Sequence, residues 1–255
     1  MKSIHLHSIL QASVLACSLI ICTASWSQQS RVFWIGPGET CDHATIQEAL
    51  GSSAGRQPRD ELRLSLHYRH SGTARFPAGL RVRGGFESCK GKHSGTYTNL
   101  YAPATRPLFV LESGLGDATS TFTHLRLFGD NFGPRQGGVI RMERGTAKLV
   151  LDNVVIRNGS ANEGGAIYMA GGNNRLELRD TQLTANEASM GGGIYCADGS
   201  TVELRSGRIE GNTAQFAGGG LFAQPGCEVV AEPARLARIV VGNRVQDQEI
   251  AGLVR

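Results

Sequence analysis

Apolar and polar positions in the C-terminal half of the chain recur at a fixed interval. Gly137, Gly164, Gly191 and Gly218 open the tetrads GGVI, GGAI, GGGI and GGGL, 27 residues apart. Each tetrad ends on one inward aliphatic, Ile140, Ile167, Ile194 or Leu221. A polar corner follows. The next stretch alternates, with Leu149 and Leu151, Leu176 and Leu178, and Val202 and Leu204 on one face, which predicts a half-buried strand. A third segment places Ile156, Leu183 or Ile209 shortly before Asn158, Asn186 or Asn212. Self-similarity at this period predicts an all-β, single-stranded right-handed parallel β-helix, a solenoid of about 27 residues and three short strands per coil. Four inward aliphatics per coil (Ile167, Leu176, Leu178, Leu183) are worth about 6 to 12 kcal/mol gross on burial, a gain available only when coils stack.

From Arg31 to Phe128 the spacing is looser. Alternation persists in Leu62, Leu64 and Leu66, in Leu80 and Val82, and in Leu108 and Val110, which predicts earlier, less regular coils. Thr45 and Glu48 fit a capping box, and Gly51 can stop the turn, so a short N-terminal helix is expected to plug the open end of the solenoid. At the far end Val229 and Val230 lead through Pro233 into Ile239 without a recognisable cap. Either the last residues fold over the edge, or the chain is a shortened member of a longer design, and an uncapped last coil would offer a surface for end-to-end self-association.

Ahead of all this stand Lys2, an apolar run from Val14 to Cys22, and the small residues Ala24, Ser25 and Ser27. That pattern reads as a secretory signal peptide over residues 1–27, too short in its apolar part to span a bilayer. The expected organisation is therefore a leader, a cap with irregular coils over 28–121, and regular repeats with a C-terminal coil over 122–255. No transmembrane segment is expected in the mature chain, which is assigned to the periplasm or the outside of the cell, with association at the cell surface.

Composition agrees with a β-rich body of tight corners: 34 glycines and only 6% aromatic residues among 255. The formal charge of +4 is spread over arginines that alternate with glutamates, without the basic stripe that nucleic acid requires. Of six cysteines, Cys41, Cys89, Cys196 and Cys227 follow the leader. Two disulfides are possible in three connectivities, and Cys41 with Cys89 and Cys196 with Cys227 is favoured because each pair joins neighbouring coils. The absence of Cys-x-x-Cys argues against structural zinc, and no metal or cofactor is expected.

Two columns are candidates for function. Alternation turns Arg141, Tyr168, Tyr195 and Phe222 outward, and such a file either binds sugar rings and partner side chains or only stacks along the sheet. Asn131, Asn158, Asn186 and Asn212, with Asn243 continuing the row, form either a structural ladder at a corner or a polar ligand site. Glu177 over Glu203 and Arg179 over Arg205 suggest diagonal charge compensation on the surface.

The GGAI tetrad at 164–167 and the Phe128-to-Asn131 spacing resemble the repeats of the polymorphic outer-membrane protein family, over roughly residues 122–222. CDHATIQEAL from Cys41 and LRVRGGFESC ending at Cys89 resemble the cap and a strand of pectin-lyase-like β-helix proteins. The first resemblance implies a passenger that contributes to adhesion at the cell surface. That family places a membrane barrel after the repeats, and nothing after Phe222 supplies its alternating strands. The second resemblance implies a polysaccharide lyase or glycoside hydrolase as the competing class. The chain has no Asn-Thr-Asp, Asp-Asp, Gly-His-Gly or Arg-Ile-Lys signature. Arg75-Phe76-Pro77 with Arg81 is the nearest approach, Asp152, Asp180 and Asp198 fall at different phases, and His124 reads as a lone histidine. The sequence thus favours a non-catalytic binding or adhesion module for a polysaccharide or a cell-surface protein.

Overall fold

In the computed structural model of the protein the described residues are 30–52, 58–70, 72–113, 118–129, 136–245, 248–250 and 253–254, the last two stretches by backbone alone. The leader assigned to residues 1–27 lies outside them. The chain winds into a parallel β-solenoid of about seven turns. Three sheets run along its length.

The first sheet stacks Val32–Ile35, Glu61–Ser65, Arg81–Phe86, Thr119–Phe128, Lys148–Arg157, Arg175–Arg179, Thr201–Leu204 and Glu228–Val230 in that order. The second stacks Ala74, Phe109, Ile140, Ile167, Ile194 and Leu221 in one inward file. Every member of that file is fully buried. The interval between successive members settles to 27 only from Ile140 onward, so the earlier coils carry longer loops at their corners.

The coil over 137–163 has the expected three strands, and those over 164–190 and 191–217 have four, because the long first-sheet strand divides there into two. A third sheet of Ser160–Glu163, Glu187–Met190, Thr213–Ala217 and Asn243–Val245 fills the interval between the corner asparagine and the Gly-Gly pair. Its inward residues are Ala188 and Ala214, too small to show as a hydrophobic signal. Gln248–Ile250 then turns back antiparallel to Asn243–Val245.

The Gly-Gly pair answers two separate needs. Gly191 takes φ +67°, a left-handed turn that leads the chain from the third sheet into the second. Gly192 lies so close to the next coil that a Cβ would strike the carbonyl oxygens of Thr213 and Gly219.

Asparagines form a ladder, though not with all the predicted members. Oδ1 of Asn212 accepts from the backbone N–H (3.0 Å) and Nδ2 (2.8 Å) of Asn186, while its own Nδ2 donates to the Leu183 carbonyl at 2.9 Å. Asn243 repeats the arrangement beneath Asn212. Asn158 is not a rung: it is exposed at φ +58°, in a corner file with Ala185, Gly211 and Gly242. Gly159 stands at the ladder position instead and donates its N–H to Asn186 Oδ1 at 2.9 Å. Asn131 lies outside the described residues.

Helix α1 (Ile46–Gly51) caps the N-terminal end, with Thr45 Oγ1 accepting from the Glu48 N–H at 3.1 Å. Glu48 Oε2 reaches back to the Ala44 N–H, one residue before the cap position. Beneath the helix the Tyr68 hydroxyl accepts from the Ile46 N–H and lies 3.0 Å from His70 Nδ1, and His70 Nε2 lies 2.6 Å from the Gly72 carbonyl. Burial pushes Tyr68 up to about 12 and lowers the pKa of His70. At the other end α2 (Pro233–Ile239) packs on Gly207–Glu210. Its signal was the proline at the first helical turn. No helix among the described residues is long and apolar enough to cross a membrane. Disulfides join Cys41 to Cys89 and Cys196 to Cys227.

Candidate functional site

The outward file of Arg141, Tyr168, Tyr195 and Phe222 exists in register, but it is not a free surface. Tyr168 is only 8% exposed and Tyr195 only 3%. The rings stack on one another at 5.4 and 5.3 Å, and Gln224 Nε2 donates to the Tyr195 hydroxyl at 2.6 Å. Burial first and Glu163 second raise Tyr195 to about 12. Alternation assigns a residue to the outside of the coil and says nothing of what folds over it. Its two tyrosines are internal packing, while Arg141 and Phe222 at its ends are half-buried.

An open cleft of about 290 Å³ lies instead on the outward face of the first sheet, in the irregular coils. Glu61, Arg81, Thr121 and Val150 form one outward column, and Arg63, Arg83, Thr123 and Asp152 form the next. His124 closes one side at φ +54°, where the long strand Thr119–Phe128 bends. The bend is possible because Gly84 lacks a side chain that would strike the His124 carbonyl.

His124 is not alone. Its ring meets that of His93 at 4.3 Å, His93 meets Phe86 at 5.1 Å, and Phe86 meets Trp34 at 5.0 Å, in a row of edge-to-face contacts. Arg63 lies over Trp34 and Phe86, and Arg83 over Phe86. Burial lowers the pKa of both histidines. Arg83 adds to the effect on His93, and His93 followed by Arg83 adds to it on His124, with Asp152 opposing. Both rings are therefore neutral near pH 7.

Charge distinguishes this face from its continuation. Further along the same sheet, Arg179 bonds Glu177 at 2.9 Å, Arg205 bonds both Glu177 and Glu203, and Arg175 contacts Glu203. Hydrogen bonding to Arg179 lowers the pKa of Glu177. In the cleft Glu61 is taken by Arg63 at 2.6 Å, while Arg81 and Arg83 have no ion-pair partner among the described residues. The predicted diagonal compensation thus operates at one end of the sheet and leaves two uncompensated cations at the other.

The cleft escaped sequence reading because its parts come from coils of unequal length. One signal was present: Arg81 and Arg83 flank Val82, which puts two cations on one strand face. No group of three or more histidine, cysteine or acidic side chains gathers at metal-ligand range among the described residues. No protein-family model, curated protein or solved structure matches the chain.

The three lowered histidines set a pH dependence. Each binds its proton more weakly in the folded chain than at the ordinary value of about 6.5, so the unfolded chain takes up protons first as pH falls. Stability should be flat above about pH 7 and decline from about 6.5 down to the folded values, where the loss is complete. Urea midpoints at pH 7.5 and 5.5 measure it. His70→Gln should shrink the pH dependence, and a midpoint equal at both pH values would refute the assignment.

Proposed function

We propose that this chain is an exported binding module for acidic polysaccharide, engaged through the cleft of Arg81, Arg83, Thr121, Thr123 and His124. The observation that carries the reading is the pair of arginines without an ion-pair partner in an open groove, where Glu61 is already held by Arg63 and Asp152 is the other carboxylate, on a sheet whose Arg175, Arg179 and Arg205 are paired with glutamates. A guanidinium presents paired donors that match a carboxylate or sulfate, and threonine hydroxyls suit sugar hydroxyls. Two disulfides fit an oxidising compartment, where such polymers are met. The resemblance of the Gly-Gly tetrads to surface-displayed β-helix passengers points the same way.

One observation favours a second reading, a polysaccharide lyase: neutral His124 stands beside the two arginines. A uronate carboxylate held by Arg81 and Arg83 would present its α-proton to such a base. A paired-carboxylate hydrolase has less support. Glu61 and Asp152 are three coil steps apart, about 14 Å at sheet spacing, wider than the separation such pairs use.

The test is affinity chromatography on immobilised polygalacturonate, alginate and chondroitin sulfate beside a neutral glucan. The protein should be retained on an acidic matrix and released by salt, and Arg81→Ala with Arg83→Ala should weaken binding by about tenfold or more. Retention independent of these arginines, or equal on the neutral matrix, would overturn the proposal. Absorbance of unsaturated products in the same mixtures reports the lyase reading.

A further inference from the structure

The first sheet does not end at the cleft. Beyond the left-handed residues His124 and Asn153 the strands bend and continue as a second panel, built from Thr98–Tyr101 and the far halves of Thr119–Phe128 and Lys148–Arg157. On its outward face Tyr101, Phe128 and Arg157 share one column, and Asn99, Arg126 and Val155 share the next. Tyr101 is 51% exposed and lies flat against Phe128, with centroids 4.7 Å apart and planes 11° from parallel. Arg157 lies over Phe128 at 6.0 Å and Arg126 over Tyr97 at 4.9 Å. The Tyr97 hydroxyl donates to Asn153 Oδ1 at 2.6 Å, which ties the panel to the bend.

The pair offers a flat aromatic face, with Tyr101 exposed and Phe128 half-buried beneath it, of the kind that stacks on sugar rings. Here it is preformed and flanked by cations. Arg126 and Arg157 have no carboxylate partner among the described residues, whereas Arg208, farther along the same panel, bonds Glu210 at 2.8 Å. As with Arg81 and Arg83 in the cleft, neither arginine forms an ion pair among the described residues.

We infer that Tyr101 and Phe128 form a stacking platform for the same acidic polysaccharide, which passes from the cleft around the bend and meets Arg126 and Arg157 with further carboxylates. The inference rests on reading the cleft as an acidic-polysaccharide site. Thr123 and Phe128 are five residues apart, about 16 Å along a strand, so an extended chain of sugars is needed to occupy both places. Linking the two contacts through one polymer raises affinity without strengthening either.

Isothermal titration with digalacturonate and with long polygalacturonate separates the two sites. Tyr101→Ser with Phe128→Ser should leave digalacturonate binding at Arg81 and Arg83 unchanged while weakening the long polymer by about tenfold or more. Arg126→Glu with Arg157→Glu, which leaves the rings in place, should weaken the polymer as well and guards against a folding defect from the loss of Phe128. Polymer affinity unchanged in both variants would overturn the platform and leave the cleft reading intact. Loss of polymer binding in these variants but not in Arg81→Ala with Arg83→Ala would overturn the cleft and the continuous path together. Equally tight binding of a neutral glucan would overturn the acidic assignment.

Discussion

Replacing Asn212 by alanine should lower the thermal midpoint by about 6 to 16 °C, from a loss of about 3 to 4 kcal/mol at roughly 2 to 4 °C per kcal/mol. The amide of Asn212 serves three coils. Its Oδ1 accepts from the backbone and side chain of Asn186 above, and its Nδ2 donates to the Leu183 carbonyl and to Oδ1 of Asn243 below. Removing it strands the Asn186 N–H and the Leu183 carbonyl away from water, and such groups cost far more unpaired than the net worth of their bonds. Asn158→Gly is the control. Asn158 is exposed at a left-handed corner, so glycine there should change stability by less than about 0.5 kcal/mol. Calorimetric scans of the two variants decide the matter, and comparable losses would mean that the buried ladder is not what joins the coils.

The two asparagines also show where sequence reading stops. A period of 27 aligns Asn158 with Asn212, yet Asn186 is the residue in file with Asn212, because the step from Asn186 to Asn212 is 26 residues while that from Gly159 to Asn186 is 27. Periodicity places a residue to within one position, and at a corner one position separates an exposed left-handed turn from a buried hydrogen-bonded rung. The inward aliphatics were legible for the opposite reason. Ile140, Ile167, Ile194 and Leu221 all follow a Gly-Gly pair that fixes both turn and distance.

The cleft was hidden by the same irregularity that creates it. Glu61, Arg81, Thr121 and Val150 lie at intervals that share no period, since loops of different length leave the first sheet between them. In the regular coils Arg175, Arg179, Arg205 and Arg208 pair with a glutamate on the same or the next strand. In the irregular coils Glu61 stands opposite Arg81 but is held by Arg63, and cations, rings and hydroxyls from distant segments face one space. His93 enters from the loop that follows Cys89, which the bond to Cys41 ties back to the cap. Regularity supplies the stack, and departure from it supplies the chemistry.

Gly192→Ala should cost about 3 kcal/mol or more, although it adds only one methyl group to the regular coils. Gly192 has no left-handed φ to lose, so the requirement is space alone. Its Cβ would press on the carbonyls of Thr213 and Gly219, and both belong to backbone whose position is held by ladder bonds, including Gly192 N–H to the Gly218 carbonyl at 3.1 Å. Neither oxygen can move without lengthening the step to the next coil, and Gly165 makes the same close approach to the Gly192 carbonyl in turn, so strain at one glycine passes along the stack. Gly211→Asn provides the contrast. Gly211 has φ +62° with nothing near its missing Cβ, and Asn158 already occupies that corner two coils away, so the cost should stay below about 1 kcal/mol. Urea unfolding of the two variants measures the difference. A Gly192→Ala protein as stable as Gly211→Asn would show that coil spacing is soft, and that the second glycine of each tetrad is there for some reason other than contact.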